Sequence, residues 1–129
     1  MSRQRVSANR PWERIVGYSR AVRVGNVIEV SGTAAAGPDG EILAPGDVYG
    51  QAREALRIIG EALQEAGGGF GDVVRTRVLL KDVATWEEAG RAHGEVFAEI
   101  RPANTTMGVA GFIDPAILVE IEATAVLDA

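Results

Sequence analysis

The sequence predicts an α+β domain in which a β-sheet carries two helices on one face. Three observations lead there. Stretches such as Val119 to Leu127 alternate apolar and polar residues with the period of a strand. Two longer stretches, beginning at Asp47 and Thr85, repeat apolar residues every three or four positions, as a helix does. The elements then follow in the order β-β-α-β-α-β-β. Two helices can cover only one face of such a sheet, so the other must be solvated or buried by another subunit. Periodicity leaves that choice open.

Residues 1–14 are mostly polar and are expected to be loosely held. Ala21 to Val30 reads as a hairpin, with Val22 and Val24 on one strand, Gly25-Asn26 as the turn and Val27 to Val30 as the return. Both turn residues tolerate positive φ, which tight hairpins demand. Pro38-Asp39-Gly40 marks a second turn. Asp47 is placed to cap a helix to about Ala66 whose apolar face carries Val48, Ala52, Ala55, Leu56, Ile59 and Leu63. Gly67-Gly68-Gly69 ends it, since glycine enters the left-handed region without strain. Val73 to Leu80 is a strand with Arg75 and Arg77 on one face and Thr76 and Val78 on the other. Thr85-Trp86-Glu87-Glu88 fits a capping box. The helix it opens presents Trp86, Ala89, Val96, Phe97 and Ile100 to the core and stops before Pro102. In the last strand Val119, Ile121, Ala123, Ala125 and Leu127 point one way, and Glu120, Glu122 and Thr124 the other.

With 129 residues the chain is expected to be a single domain spanning 1–129. Its 47% hydrophobic and 24% charged residues are ordinary for a globular chain. The lack of cysteine removes disulfides, thiolate metal sites and thiol nucleophiles, and fits a cytoplasmic protein. No apolar run reaches membrane-span length, and no signal peptide is expected. Net charge is −5 and aromatics make up 5%, with Lys and Arg scattered. A sequence-independent nucleic-acid binder needs a basic stripe, often with aromatics interleaved, so nucleic acid is not an expected partner. Gly67-Gly68-Gly69 follows a helix instead of opening one, so it caps and does not cradle phosphate. The lone histidine, His93, has no second ligand at metal-site spacing, and neither metal nor cofactor is expected.

Several motifs resemble the RidA/YjgF family, also called the endoribonuclease L-PSP family. They are Gly17-Tyr18-Ser19-Arg20-Ala21-Val22-Arg23-Val24-Gly25-Asn26, Val30-Ser31-Gly32, Arg101-Pro102-Ala103-Asn104-Thr105-Thr106-Met107-Gly108-Val109 and Leu118-Val119-Glu120-Ile121-Glu122-Ala123. The resemblance extends over roughly residues 15–127. It implies a chorismate-mutase-like fold with a mixed sheet. Three subunits would pack their sheets into a central barrel, with a small-molecule pocket at each subunit boundary. It also implies hydrolysis of reactive enamines and imines.

Glu120 is the candidate catalytic group. Taken alone, Glu120 and Glu122 share a strand face about 7 Å apart, where neighbouring carboxylates raise each other's pKa. They could equally lie on a wet face or pair with Arg75 or Arg77. The resemblance gives Glu120 the role of positioning the water that attacks the imine carbon, and gives Glu122 no role beyond structural contacts.

Asn104 stands where deaminating members carry an arginine that forks onto the substrate carboxylate. Asparagine has no charge and cannot form that clamp, at a cost on the order of 2–3 kcal/mol. Weak activity on 2-imino acids is therefore expected. Asn104, Thr105 and Thr106 form a neutral polar rim, or else satisfy backbone groups in a turn. The resemblance adds Tyr18, Ser31 and the Gly32 backbone amide to the pocket. It puts Thr106 in the place of a frequent cysteine and Gly90 in the place of a pocket asparagine. His93 is read as a satisfied core or interface group. Its alternative is an acid or base reaching the hollow at Gly90. Trp86 and Phe112 are read as packing residues. Arg20 is read as an exposed salt-bridging residue, the alternative being a substitute cation for the missing arginine. The runner-up function is a family member that binds a small metabolite without deaminating it, or that catalyses another hydrolysis or dehydration. RNA cleavage comes third.

Overall fold

A computed structural model describes residues 2–128. Its strands are β1 (Arg3–Val6), β2 (Ala21–Val24), β3 (Val27–Thr33), β4 (Val73–Leu80), β5 (Ala103–Gly108) and β6 (Val119–Val126). The helices are α1 (Trp12–Val16), α2 (Val48–Glu65) and α3 (Trp86–Phe97), with single 3₁₀ turns at Phe70–Asp72 and Val83–Thr85. One six-stranded sheet runs in the order β1-β2-β3-β6-β4-β5. All pairs are antiparallel except β4–β5, which makes the sheet mixed. Among the described residues, no helix is long and apolar enough to cross a membrane.

The β2–β3 hairpin turns at Gly25, whose φ of 61° is the positive value the turn needs. Asp47 caps α2 by accepting from the Gly50 amide. At the other end Gly67 takes φ 95°, so its amide bonds to Gln64 O and that of Gly68 to Leu63 O. Those two bonds close the helix as a Schellman motif. Leu56, Ile59 and Leu63 of α2 pack with Ala89, Ala92 and Phe97 of α3 over Ile28, Val78, Val119 and Ile121 of the sheet. Fully burying each Leu or Ile contributes about 2 kcal/mol. The opposite sheet face carries Arg75, Arg77, Glu120, Glu122 and Thr124, so β6 alternates as its sequence predicts.

Three expectations are corrected. Arg3–Val6, expected to be loosely held, is an edge strand whose Val6 is buried, and the expectation for Met1 lies outside the described residues. Its polar side chains face outward, which hid the pairing. Trp86 is 55% exposed and not in the core, because α3 turns Ala89 and Phe97 inward instead. Thr85 makes no capping bond to α3; its hydroxyl is taken by the Asp82 carbonyl at 2.6 Å, within the 3₁₀ turn that precedes the helix.

Candidate active site

The site grows from an irregularity in β3. Val30 pairs with Ala123 and Thr33 with Ile121, so three steps along β3 match two along β6. The extra residue makes a bulge at Ser31-Gly32. Gly32 is thereby brought against Glu120: a Cβ built on Gly32 would lie 2.7 Å from Glu120 Oε1. Ser31 Oγ donates to the Ser19 carbonyl and the Ser31 amide to the Arg20 carbonyl, tying the bulge to the start of β2.

In front of the bulge lies a cavity of about 380 Å³. Its polar wall holds Tyr18, Arg20, Ser31, Glu120 and Glu122. Burial raises the Glu120 pKa, Arg20 pulls it back and Glu122 adds to the rise. Glu122 is half-exposed and pairs weakly with Arg77 at 3.4 Å, so it touches the cavity with its charge still felt by Glu120. Arg20 departs from its expected exposed salt bridge. It is 7% exposed, and its Nη1 donates to the Gly32 carbonyl and to Thr33 Oγ1, each at 3.0 Å. Only the fold reveals this, because its side-chain partners come from β3, thirteen or fewer residues on but across the hairpin.

The rest of the wall was missed by sequence reasoning. Trp12 and Val16 come from α1, Arg10 from the turn before it, and Ile113 and Ile117 from the loop before β6. A signal for α1 was present. Pro11 and Gly17 bracket Trp12–Val16, with Glu13 in the first turn and Gly17 left-handed at φ 77°.

Asn104, Thr105 and Thr106 do not line this cavity within one chain. They lie on β5, an edge strand, and not in a turn. Thr105 Oγ1 accepts from Arg75 at 2.7 Å on one face. On the other, Thr106 Oγ1 donates to Asn104 Oδ1 at 2.8 Å and Asn104 Nδ2 donates to Thr76 Oγ1 at 3.0 Å. Thr76 is fully buried and its hydroxyl also meets His93 Nε2 at 2.8 Å. His93 is half-buried, packs against Phe97 with ring centroids 4.6 Å apart, and has its pKa lowered by burial. Gly90 leaves open space, with Trp86 Cε3 the nearest atom to a built Cβ at 3.9 Å. Phe112 is half-buried in the loop before β6.

Comparison with known proteins settles the family. The family model described as Endoribonuclease L-PSP matches residues 8–127. This chain belongs to the RidA/YjgF family. It is 40% identical over 122 residues to the Streptomyces coelicolor protein SCO2049, covering 95% of this chain and 90% of that one. It is 36% identical over 124 residues to the mouse 2-iminobutanoate/2-iminopropanoate deaminase, covering 96% and 91%. The crystal structure of Rv2704 from Mycobacterium tuberculosis, of the YjgF/YER057c/UK114 family, superposes with a TM-score of 0.87 at 43% identity, covering 98% of this chain and all of that one. The RidA/YjgF family thus includes imine deaminases, and its endoribonuclease label is a family name.

Proposed function

We propose that this RidA/YjgF member is a hydrolase of small enamine or imine metabolites, with Glu120 positioning the attacking water. The observation that carries the reading is the Glu120 carboxyl, half-buried beside the Gly32 bulge on a cavity wall, with its pKa raised by burial. A carboxyl tuned upward toward neutrality is suited to take a proton from water and return it. Water adds to the carbon of C=N as Glu120 accepts its proton. The proton is then delivered to nitrogen to give a carbinolamine; a second proton passes from the new hydroxyl to nitrogen as the C–N bond breaks, and a carbonyl compound and ammonia leave. An enamine first gains a proton on carbon to become the imine.

The working unit is a homotrimer in the cytoplasm. In it β5 of a neighbouring copy faces each cavity and brings Asn104 and Thr106 to it, while Tyr18, Ser31 and the Gly32 amide come from the first copy. Support comes from the apolar side chains left in contact with solvent in the single chain, among them Ile15, Val83, Trp86, Met107 and Ile113. A second reading, a member that binds a small metabolite without deaminating it or performs another hydrolysis or dehydration, rests on the neutral Asn104. RNA cleavage has least support, given a net charge of −5.

The test is imine hydrolysis. 2-Iminobutanoate is generated in situ by an amino-acid oxidase, and loss of trapped imine is followed with and without the protein. Acceleration that disappears in Glu120→Ala supports the hydrolase; no acceleration from the folded protein, with this imine or with imines lacking a carboxylate, moves the case to the second reading.

A further inference from the structure

Arg20 is the only charged side chain among the described residues that is fully buried, at 7% exposure. Its Nη1 bonds to two neutral oxygens, and its Nε, shut off from solvent, has no hydrogen-bond partner. The ion pairs among the described residues are Arg57 with Glu54 and Glu61, and Arg77 with Glu122; Arg20 is in none. A guanidinium taken out of water without a paired counter-charge is unfavourable; neutral acceptors and the Tyr18 ring, whose centroid lies 5.7 Å from Arg20 Cζ, offset only part of that cost. Glu120 feels this cation but does not pair with it. A second guanidinium, that of Arg10, opposes its charge and lines the same cavity. An anion entering the cavity would relieve both costs together. The carboxylates present compete weakly: Glu122 is engaged by Arg77, and burial already disfavours the charged form of Glu120.

We propose that Arg20 is the anion anchor of this cavity, receiving the carboxylate of a small 2-imino acid and presenting the adjacent carbon to Glu120. The inference rests on the imine-hydrolase reading for its substrate class. It changes the meaning of Asn104. The neutral side chain at 104 no longer implies a neutral substrate, because the positive charge comes from beside β2 of the chain that carries Glu120. With Nη1 engaged and Nε shut off from solvent, Nη2 is the group left to donate to a carboxylate, and the guanidinium stays protonated even where burial lowers its pKa.

The test is calorimetric titration of the full-length protein with 2-oxobutanoate, a stable analogue of the imino acid, and with its neutral amide. Arg20→Gln is expected to weaken 2-oxobutanoate at least tenfold and the amide less than twofold, with Arg20→Lys recovering part of the loss. Equal loss for both ligands, or no loss for either, would assign Arg20 a purely structural role and overturn the proposal. So would a wild-type protein that does not bind 2-oxobutanoate. Should Arg20→Gln fail to fold, competition on the wild type decides: acetate displaces 2-oxobutanoate and acetamide does not, and the reverse or no displacement sinks the anchor. Failure of the hydrolase reading looks different. Anion binding through Arg20 without imine turnover removes the reaction and leaves the anchor, whereas turnover that is indifferent to Arg20→Gln removes the anchor alone.

Discussion

Glu120 occupies the space that any side chain at position 32 would need, its Oε1 standing 2.7 Å from where a Cβ on Gly32 would be. The glycine is therefore required by the carboxylate and not by backbone strain, since Gly32 is not among the positive-φ positions. Gly32→Ala is expected to push the flexible end of Glu120 aside at a stability cost of no more than about 1 kcal/mol. Imine turnover should fall about 10- to 100-fold, because a displaced base loses its alignment with water and substrate. Comparing kcat with the denaturation midpoint checks both halves, and a variant that keeps full turnover would remove Glu120 from the reaction.

Replacing Glu120 should trade activity against stability. Burial raises its folded pKa, which means the folded state prefers the protonated form. That preference supports the fold below the unfolded carboxyl pKa, about 4.3, and is lost as pH rises through the folded value. Glu120→Gln should consequently raise Tm relative to wild type at pH 7–8, with the gap closing below about pH 4. Turnover should drop by a factor on the order of 10²–10⁴. Thermal melts across pH and a single-turnover assay test the pair.

His93 should give the opposite pH signature. Its folded pKa is lowered by burial, so the neutral ring supports the fold above the unfolded value near 6.5, and this support is lost as pH falls. Wild-type Tm should begin to decline below about pH 6.5. In His93→Gln that part of the decline should be absent. Melts between pH 5 and 8 would show it.

Thr76 joins His93 to Asn104 from a fully buried position. Thr76→Val keeps the shape and removes both bonds, leaving His93 Nε2 and Asn104 Nδ2 short of a partner. A loss of about 1–3 kcal/mol is expected in chemical denaturation. An unchanged midpoint would show that water replaces the hydroxyl.

The two tryptophans offer a direct readout of the cavity. Trp12 lines it, while Trp86 lies at the start of α3 and is 55% exposed. Addition of 2-oxobutanoate should change tryptophan emission in wild type and in Trp86→Phe, and leave Trp12→Phe unaffected. A signal that follows Trp86 instead would place the ligand elsewhere.

Elements whose cause is local can be read directly in the chain. Alternation in Val119–Val126 sets which side Glu120 faces, Asp47 and Gly67 bound α2, and Gly25 turns the first hairpin. Each follows from side-chain period or from one residue's own conformational preference. The tertiary structure alone decided the relations between distant segments. Sheet order puts β5 at an edge, separated from β3 by two strands, so Asn104 and Thr106 turn toward Thr76 and not toward Glu120 of the same chain. Packing buries Arg20 against the Gly32 carbonyl and Thr33, and the placing of α1 brings Trp12 and Val16 onto the Glu120 cavity. Periodicity records which side of an element is apolar. It carries no information on which element lies against it, and burial, cavity walls and the partners of a charge depend on that second fact.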